Sequence, residues 1–148
     1  MQAIDAVRRS AVGLNPEQTI HDAAVLMEQA GVGCLAILDG ERLVGIVTDR
    51  DLVRRGLARG LSPEARVDGV MSTPAVTIAA EADLHDAFAL FRTHAVRRLA
   101  VVQGEQLAGI IAVDDLLIDL VGHLSDLARP VTAEVLFAHH DSPPLART

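Results

Sequence analysis

The feature that most restricts this chain is that it repeats itself once. Sliding the sequence by 64 residues aligns positions 20 to 53 with positions 84 to 117 without a gap, and 14 of those 34 pairs are identical. They include His21/His85, Asp22/Asp86, Leu26/Leu90, Val32/Val96, Leu35/Leu99, Gly40/Gly104, Glu41/Glu105, Gly45/Gly109 and Asp51/Asp115. A period of this length exceeds that of stacked solenoid repeats, so two copies facing one another are expected rather than an array.

Both copies spell the same order of elements. In the first, the apolar segment 11–14 before Asn15-Pro16 reads as a short strand ending in a turn. A helix follows, with Thr19 as N-cap, an apolar stripe of Ile20, Ala23, Ala24, Met27 and Ala30, and Gly31 as the stop. The apolar runs 34–38 and 43–47 are separated by Asp39-Gly40-Glu41-Arg42, the pattern of a hairpin. Neither run alternates cleanly, so both strands are expected to be covered on both faces. A second helix starts at Asp49 and ends near Gly56 to Gly60.

The second copy repeats this plan with a strand at 75–78, a helix at 83–93, a strand pair at 99–102 and 107–111, and a helix from Val113 that Pro130 is expected to stop. Residues 59–67, with Ser62-Pro63, read as a connector. Residues 131–137 read as one more element packing back, and 139–148, with Pro143-Pro144, as a disordered tail. One copy cannot cover its own sheet, whereas two packed together can. The expected fold class is therefore α+β: two tandem strand-helix-strand-strand-helix modules packed through their sheets in pseudo-two-fold symmetry, with an extra C-terminal helical or tail segment. The divisions fall at 1–66 (module one with an N-terminal helix and linker), 67–122 (module two) and 123–148 (C-terminal extension).

Composition narrows the function classes. At 148 residues the chain is long enough for one substantial core without disulfides or metal. Its net charge is -7, and it has three Phe and neither Trp nor Tyr, which argues against both phosphate-backbone binding and base stacking. The start, MQAIDAVRRS, has no apolar core of signal-peptide length and no stretch approaches a bilayer span, so the expectation is a cytoplasmic protein with no membrane or nucleic-acid partner. A single cysteine, Cys34, excludes an internal disulfide and reads as a small buried thiol.

The stretch Gly45-Ile46-Val47-Thr48-Asp49-Arg50-Asp51-Leu52 joins an apolar strand to a hydroxyl and two carboxylates at a strand-to-helix junction. Thr48 and Asp51 admit two readings. A carboxylate can accept from both hydroxyls of a ribose diol, as in dinucleotide-binding folds, with the N–H groups of a helix start nearby for phosphate. Equally, Thr-x-x-Asp at a helix start resembles a capping box, which stabilises a helix with no ligand present. His94, Arg97 and Arg98 form a basic cluster before a strand. Arginine forks suit phosphate oxygens, and pairing with surface acids is the alternative.

Other signals are weaker. His21-Asp22 and His85-Asp86 read as first-turn structural residues. Gly31-Val32-Gly33 precedes no helix and is no dinucleotide fingerprint. His139-His140-Asp141 reads as a surface tract, so no metal site is assigned. No nucleophile is set beside a base, so the chain is read as a non-enzyme with no catalytic residues and no catalytic cofactor.

Taken together, the repeat, its spacing and the motifs VGIVTDRDL, HAVRRLAVV (94–102), AGIIAVDDL and MSTPAVTI (71–78) resemble the tandem cystathionine-β-synthase (CBS) domain pair over roughly residues 4 to 122, in particular its short stand-alone bacterial form. The resemblance implies a regulatory module with a cleft between the copies and up to two quasi-equivalent sites for AMP, ADP or ATP. In each, an aspartate grips the ribose, a hydroxyl three residues earlier assists, and backbone of an opening strand meets adenine. Basic residues preceding a strand of the other copy meet phosphate. It also implies a homodimer and a regulated partner protein that the sequence does not identify.

Carried onto this chain, one site comprises Thr48, Asp51, Ile46 and Val47 with Arg97, Arg98 and His94. A weaker second site comprises Asp115, Ala112, Ile110, Pro74 and Ala75. The two differ because positions 32 to 35 read Val-Gly-Cys-Leu where 96 to 99 read Val-Arg-Arg-Leu, and because Ala112 replaces the threonine. One competent site is therefore expected. The apolar flanks Leu52-Val53 and Leu116-Leu117-Ile118 are the surfaces expected to feed the homodimer. Two other classes compete: a ligand-free interaction scaffold in which the domain pair serves as a dimerisation core, and a redox or metal sensor using Cys34 and the tail histidines.

Overall fold

The computed structural model describes residues 1–8 and 10–138, with side chains as far as residue 132. The chain divides into two compact units, Met1–Val113 and Asp114–Thr148.

In the first unit a six-stranded sheet has the order β1-β2-β3-β6-β5-β4. One half contains β1 (Gly13–Leu14), β2 (Cys34–Asp39) and β3 (Arg42–Thr48); the other contains β4 (Thr77–Ala79), β5 (Arg98–Gln103) and β6 (Gln106–Ala112). Each half holds one parallel pair and one antiparallel hairpin. The halves meet at Arg42 and Gln106, where Gln106 Nε2 donates to Glu41 Oε2 at 2.7 Å.

Helix α1 (Ile20–Ala30) begins where expected: Thr19 Oγ1 accepts from Asp22 N at 3.0 Å, and Asp22 Oδ2 accepts from Thr19 N at 3.1 Å. This box gives Asp22 the structural role read from the sequence. The buried stripe is Ile20, Ala23 and Met27, with Leu26 packed beside it. Ala24 and Ala30, expected in the stripe, are exposed. A methyl group is apolar enough to mimic a core position in a sequence pattern and small enough to sit in water at little cost. The C-cap Gly31 is left-handed at φ 65°. In helix α3 (Leu84–His94) the matching cap is Ala95, at φ 51°.

The strands are covered on both sides, as expected. Leu35, Ile37 and Val47 pack with α1 residues, each such side chain contributing about 1.5–3 kcal/mol. Cys34 and Ile46 point the other way and pack with Ala100 of the second repeat.

The repeat register extends further than its identities suggest. Leu84 N donates to Met1 O and Ile20 N to Ala65 O; Ala3 N donates to Ala82 O and Val67 N to Gln18 O. Each pair is related by the same offset of 64. The connection is crossed, because the N-terminal residues seat against the second repeat while Val67 and Val70 enter the core of the first. Two glycines record the crossings. A Cβ on Gly45 would lie 2.6 Å from Met71 Sδ, and one on Gly109 would collide with Val7.

The described residues of the second unit form α4 (Val113–Ala138, beginning at the last residue of the first unit), a single helix. Two expectations fail here. Pro130 lies inside the helix and does not stop it, and residues 131–137 continue the helix instead of forming a separate returning element. Proline removes one N–H and crowds the preceding turn, at a cost of about 3 kcal/mol, but later turns keep their own bonds, and Thr132 Oγ1 donates to Ala128 O at 2.9 Å. The expected disordered tail, 139–148, lies outside the described residues.

Candidate functional site

Thr48 ends β3 and caps the following helix, α2 (Asp49–Asp51). Its Oγ1 accepts from Asp51 N at 3.2 Å, while Asp51 Oδ2 accepts from Thr48 N at 3.0 Å. The capping reading is therefore realised. It does not exhaust the carboxylate, since an ionised carboxylate has about four acceptor positions. Beyond Asp51 the helix widens into a π turn over Leu52–Gly56, where Leu57 N donates to Leu52 O, and then tightens over Leu57–Arg59.

Strand register places the flanking side chains. Cys34 pairs with Thr48, and Arg98 pairs with Ala112. Cys34 and Arg98 are equivalent positions of the two repeats. Cys34 forms an apolar cluster with Ile46 and Ala100, with Ala75, Leu107 and Ile110 packed against it. Val47 turns into the helix-side core, where its side chain is fully buried. Arg97 and His94 are exposed, and Arg98 is half-buried. Arg98 Nη1 donates to Arg97 O at 3.1 Å, and that carbonyl also accepts from Val113 N at 3.0 Å. In the first repeat the equivalent bond joins Asp49 N to Gly33 O at 3.0 Å, and a Cβ on Gly33 would lie 2.9 Å from Asp49 Oδ2.

The charges meet at one thiol. Burial pushes Cys34 up from 9.0 to about 11, Arg98 pulls it down, and Asp51 and Asp49 push it up. A cation of the second repeat and carboxylates of the first thus act on the same atom.

Of the other expected residues, Ala75 and Ile110 share that apolar cluster and Ala112 is the strand partner of Arg98. Asp115 stands in the first turn of α4, in the second unit. Pro74 and Ala75 line a 310 Å³ cavity with Leu43 and Val44 of β3 and Val102 of β5. The segment leading to them lies along β3 of the first repeat: Ser72 and Ile46 exchange backbone bonds of 2.8 and 3.1 Å, and Thr73 Oγ1 donates to Val44 O at 2.9 Å.

Sequence reasoning missed Arg55. Its Nη1 donates to Met71 O at 3.1 Å and Val70 O at 3.4 Å, and its Nε lies 3.9 Å from Asp51 Oδ1. Its position four residues after Asp51 on a helix was the available signal. Among the described residues no group of three or more His, Cys, Asp and Glu could hold a metal, and no helix is long and apolar enough to cross a membrane. His139, His140 and Asp141 lie outside those residues.

Comparisons with known proteins agree with this architecture. The model of the family described as "CBS domain" matches residues 3–58 and again residues 67–122, which restates the offset of 64. The CBS domain-containing protein YhcV of Bacillus subtilis is 36% identical over 82% of this chain and 86% of its own. Hypoxic Response Protein I, solved with two coordinated zinc ions, is 31% identical with a TM-score of 0.68, covering 79% of this chain and 97% of its own. PAE2072 from Pyrobaculum aerophilum, solved in complex with AMP, shares the fold at TM-score 0.74 and 23% identity, covering 82% of this chain and 99% of its own.

Proposed function

This chain belongs to the CBS domain family and carries two of its domains in tandem, and from that premise we propose that it is a non-enzymatic regulatory module. It binds an adenine nucleotide, AMP, ADP or ATP, mainly at one site, and works as a homodimer. Asp51 accepts from the ribose hydroxyls, Thr48 holds Asp51 and the helix start in place, and Arg98 with Arg97 and His94 takes the phosphate. Ile46 offers an apolar wall to the base, and Val47 contributes backbone alone. Ala112, Ile110, Pro74 and Ala75 form the weaker counterpart, to which the repeat assigns Asp115 as the equivalent of Asp51.

The observation that carries this reading is the convergence on Cys34. The Arg98 cation and the Asp51 carboxylate, which the two ends of a nucleotide require, flank it: Cys34 pairs with Thr48 at the end of β3, just before Asp51, and packs with Ala100 of β5, the strand that Arg98 begins. An anion beside Asp51 alone would be repelled, and a guanidinium across the cleft offsets that repulsion. The AMP held by PAE2072, in the same fold, supports the choice of ligand.

Calorimetric titration of the intact chain with AMP and with ATP tests it. One site per chain is expected; D51A and R98A each weaken binding at least tenfold, and D115A changes it less than threefold. Two equal sites, or D115A abolishing binding while D51A does not, overturn the assignment. A melting temperature that no nucleotide raises removes the ligand altogether.

A second reading, a ligand-free scaffold, is favoured by α4. Leu117, Leu120, Val121, Leu124, Leu127 and Val131 share one stripe and are between 48% and 71% exposed. Two such helices paired together cover on the order of 1,000 Å², where specific interfaces begin.

A further inference from the structure

We propose that Arg55 is a positioning residue that couples the carboxylate of Asp51 to the segment Val70–Thr73, so that what binds at Asp51 is felt where the second repeat begins. For its ligand this rests on the proposed nucleotide site; the link itself is a property of the chain.

Three observations converge on Arg55. Its guanidinium donates to the carbonyls of Val70 and Met71, and its Nε faces Asp51 Oδ1. The next residue of that segment, Ser72, is bonded in both directions to Ile46 of β3, and Met71 crosses directly over Gly45. A continuous set of polar and packed contacts therefore runs from Asp51 through Arg55 to the segment and back to the strand that leads to Thr48.

Arg55 also lies within the π turn of Leu52–Gly56, a distortion that costs regular bonding and recurs at functional positions. The second repeat has neither feature. Its helix is regular from Val113, and the position equivalent to Arg55 is Asp119, which cannot donate to a carbonyl when ionised.

The physical consequence is directional. Asp51 is only 16% exposed, so it has few competing solvent partners and its field acts on the nearby guanidinium. Ribose hydroxyls donating to Asp51 redistribute that carboxylate's negative charge, and a phosphate nearby adds its own pull on the same cation. Either change alters how firmly Arg55 holds the two carbonyls. Because Val67 and Val70 are buried in the first repeat's core, the segment cannot drift as a whole. The response is confined to residues 71–75, which carry Pro74 and Ala75 against β3.

Amide hydrogen exchange on the intact chain tests this, comparing wild type, R55A, R55K and D51N with and without AMP. Without ligand, R55A and D51N are each expected to speed exchange at Met71 and Ser72 at least fivefold, leaving α3 amides unchanged. R55K, which keeps the charge but loses the fork, gives an intermediate value. AMP is expected to alter Ser72 exchange in wild type and not in R55A at matched saturation. If D51N leaves Ser72 unchanged while R55A speeds it, Arg55 is a clamp independent of Asp51 and the proposal is wrong. An equal effect of AMP on Ser72 in R55A overturns it as well. Should AMP fail to bind wild type, the nucleotide reading falls, and the ligand-free comparison of D51N with R55A still decides the coupling.

Discussion

Cys34 is the residue whose ionisation the fold displaces most clearly. Its thiol rises from 9.0 to about 11 chiefly because burial disfavours the thiolate. A group whose pKa is raised on folding lends stability below its unfolded value and loses it as pH climbs toward the folded value. A rise of this size corresponds to about 2–3 kcal/mol, so stability should hold to near pH 9 and fall by that amount approaching pH 11. The window is clean, because the chain has no Tyr and all its basic side chains other than histidine are Arg. Urea unfolding across pH 8 to 11 should show the decline in wild type and a flat profile in C34A. Equal slopes in both would place the effect elsewhere. A buried thiol was legible in the sequence from the apolar run around it. That Arg98 and Asp51 both act upon it was not, since those residues belong to different repeats.

At the scale of elements, the caps were the most legible features because their hydrogen bonds are local. Thr19, Gly31 and Thr48 each do what their spacing predicts. The exception is Ala95, which occupies the left-handed C-cap that Gly31 fills in the first repeat. An L-residue there costs roughly 1–2 kcal/mol, partly offset because glycine loses more freedom on folding. A95G should therefore stabilise the protein by up to about 1 kcal/mol, read as a higher urea midpoint; a lower midpoint would show that Ala95 makes contacts worth more than its strain. Pro130 teaches the converse. Proline discourages a helix through one missing bond and one local clash, and the turns of α4 on either side of it keep their own bonds.

For the whole molecule, the exposed stripe of α4 leads to a prediction about assembly. L124E and L127E, each placing a charge on that stripe, should convert a dimer to a monomer in light scattering while leaving the first unit's melting temperature within about 2 °C. A wild type that is already monomeric would leave the stripe without this role. The sequence by itself determined the repeat, the two-module plan, the elements and the asymmetry of the pair Thr48/Ala112 and the pair Cys34/Arg98. It could do so because periodicity, capping and turns are written in neighbouring residues, and because a duplicated module exposes its own substitutions when the copies are compared. Only the tertiary structure decided that Val67 and Val70 complete the first repeat's core. The same holds for Gly45 and Gly109, which must be small because chain from elsewhere passes over them, and for Arg55, which ties Asp51 to the second repeat. These depend on close approaches between residues distant in sequence, and no local pattern records a neighbour that arrives from another part of the chain.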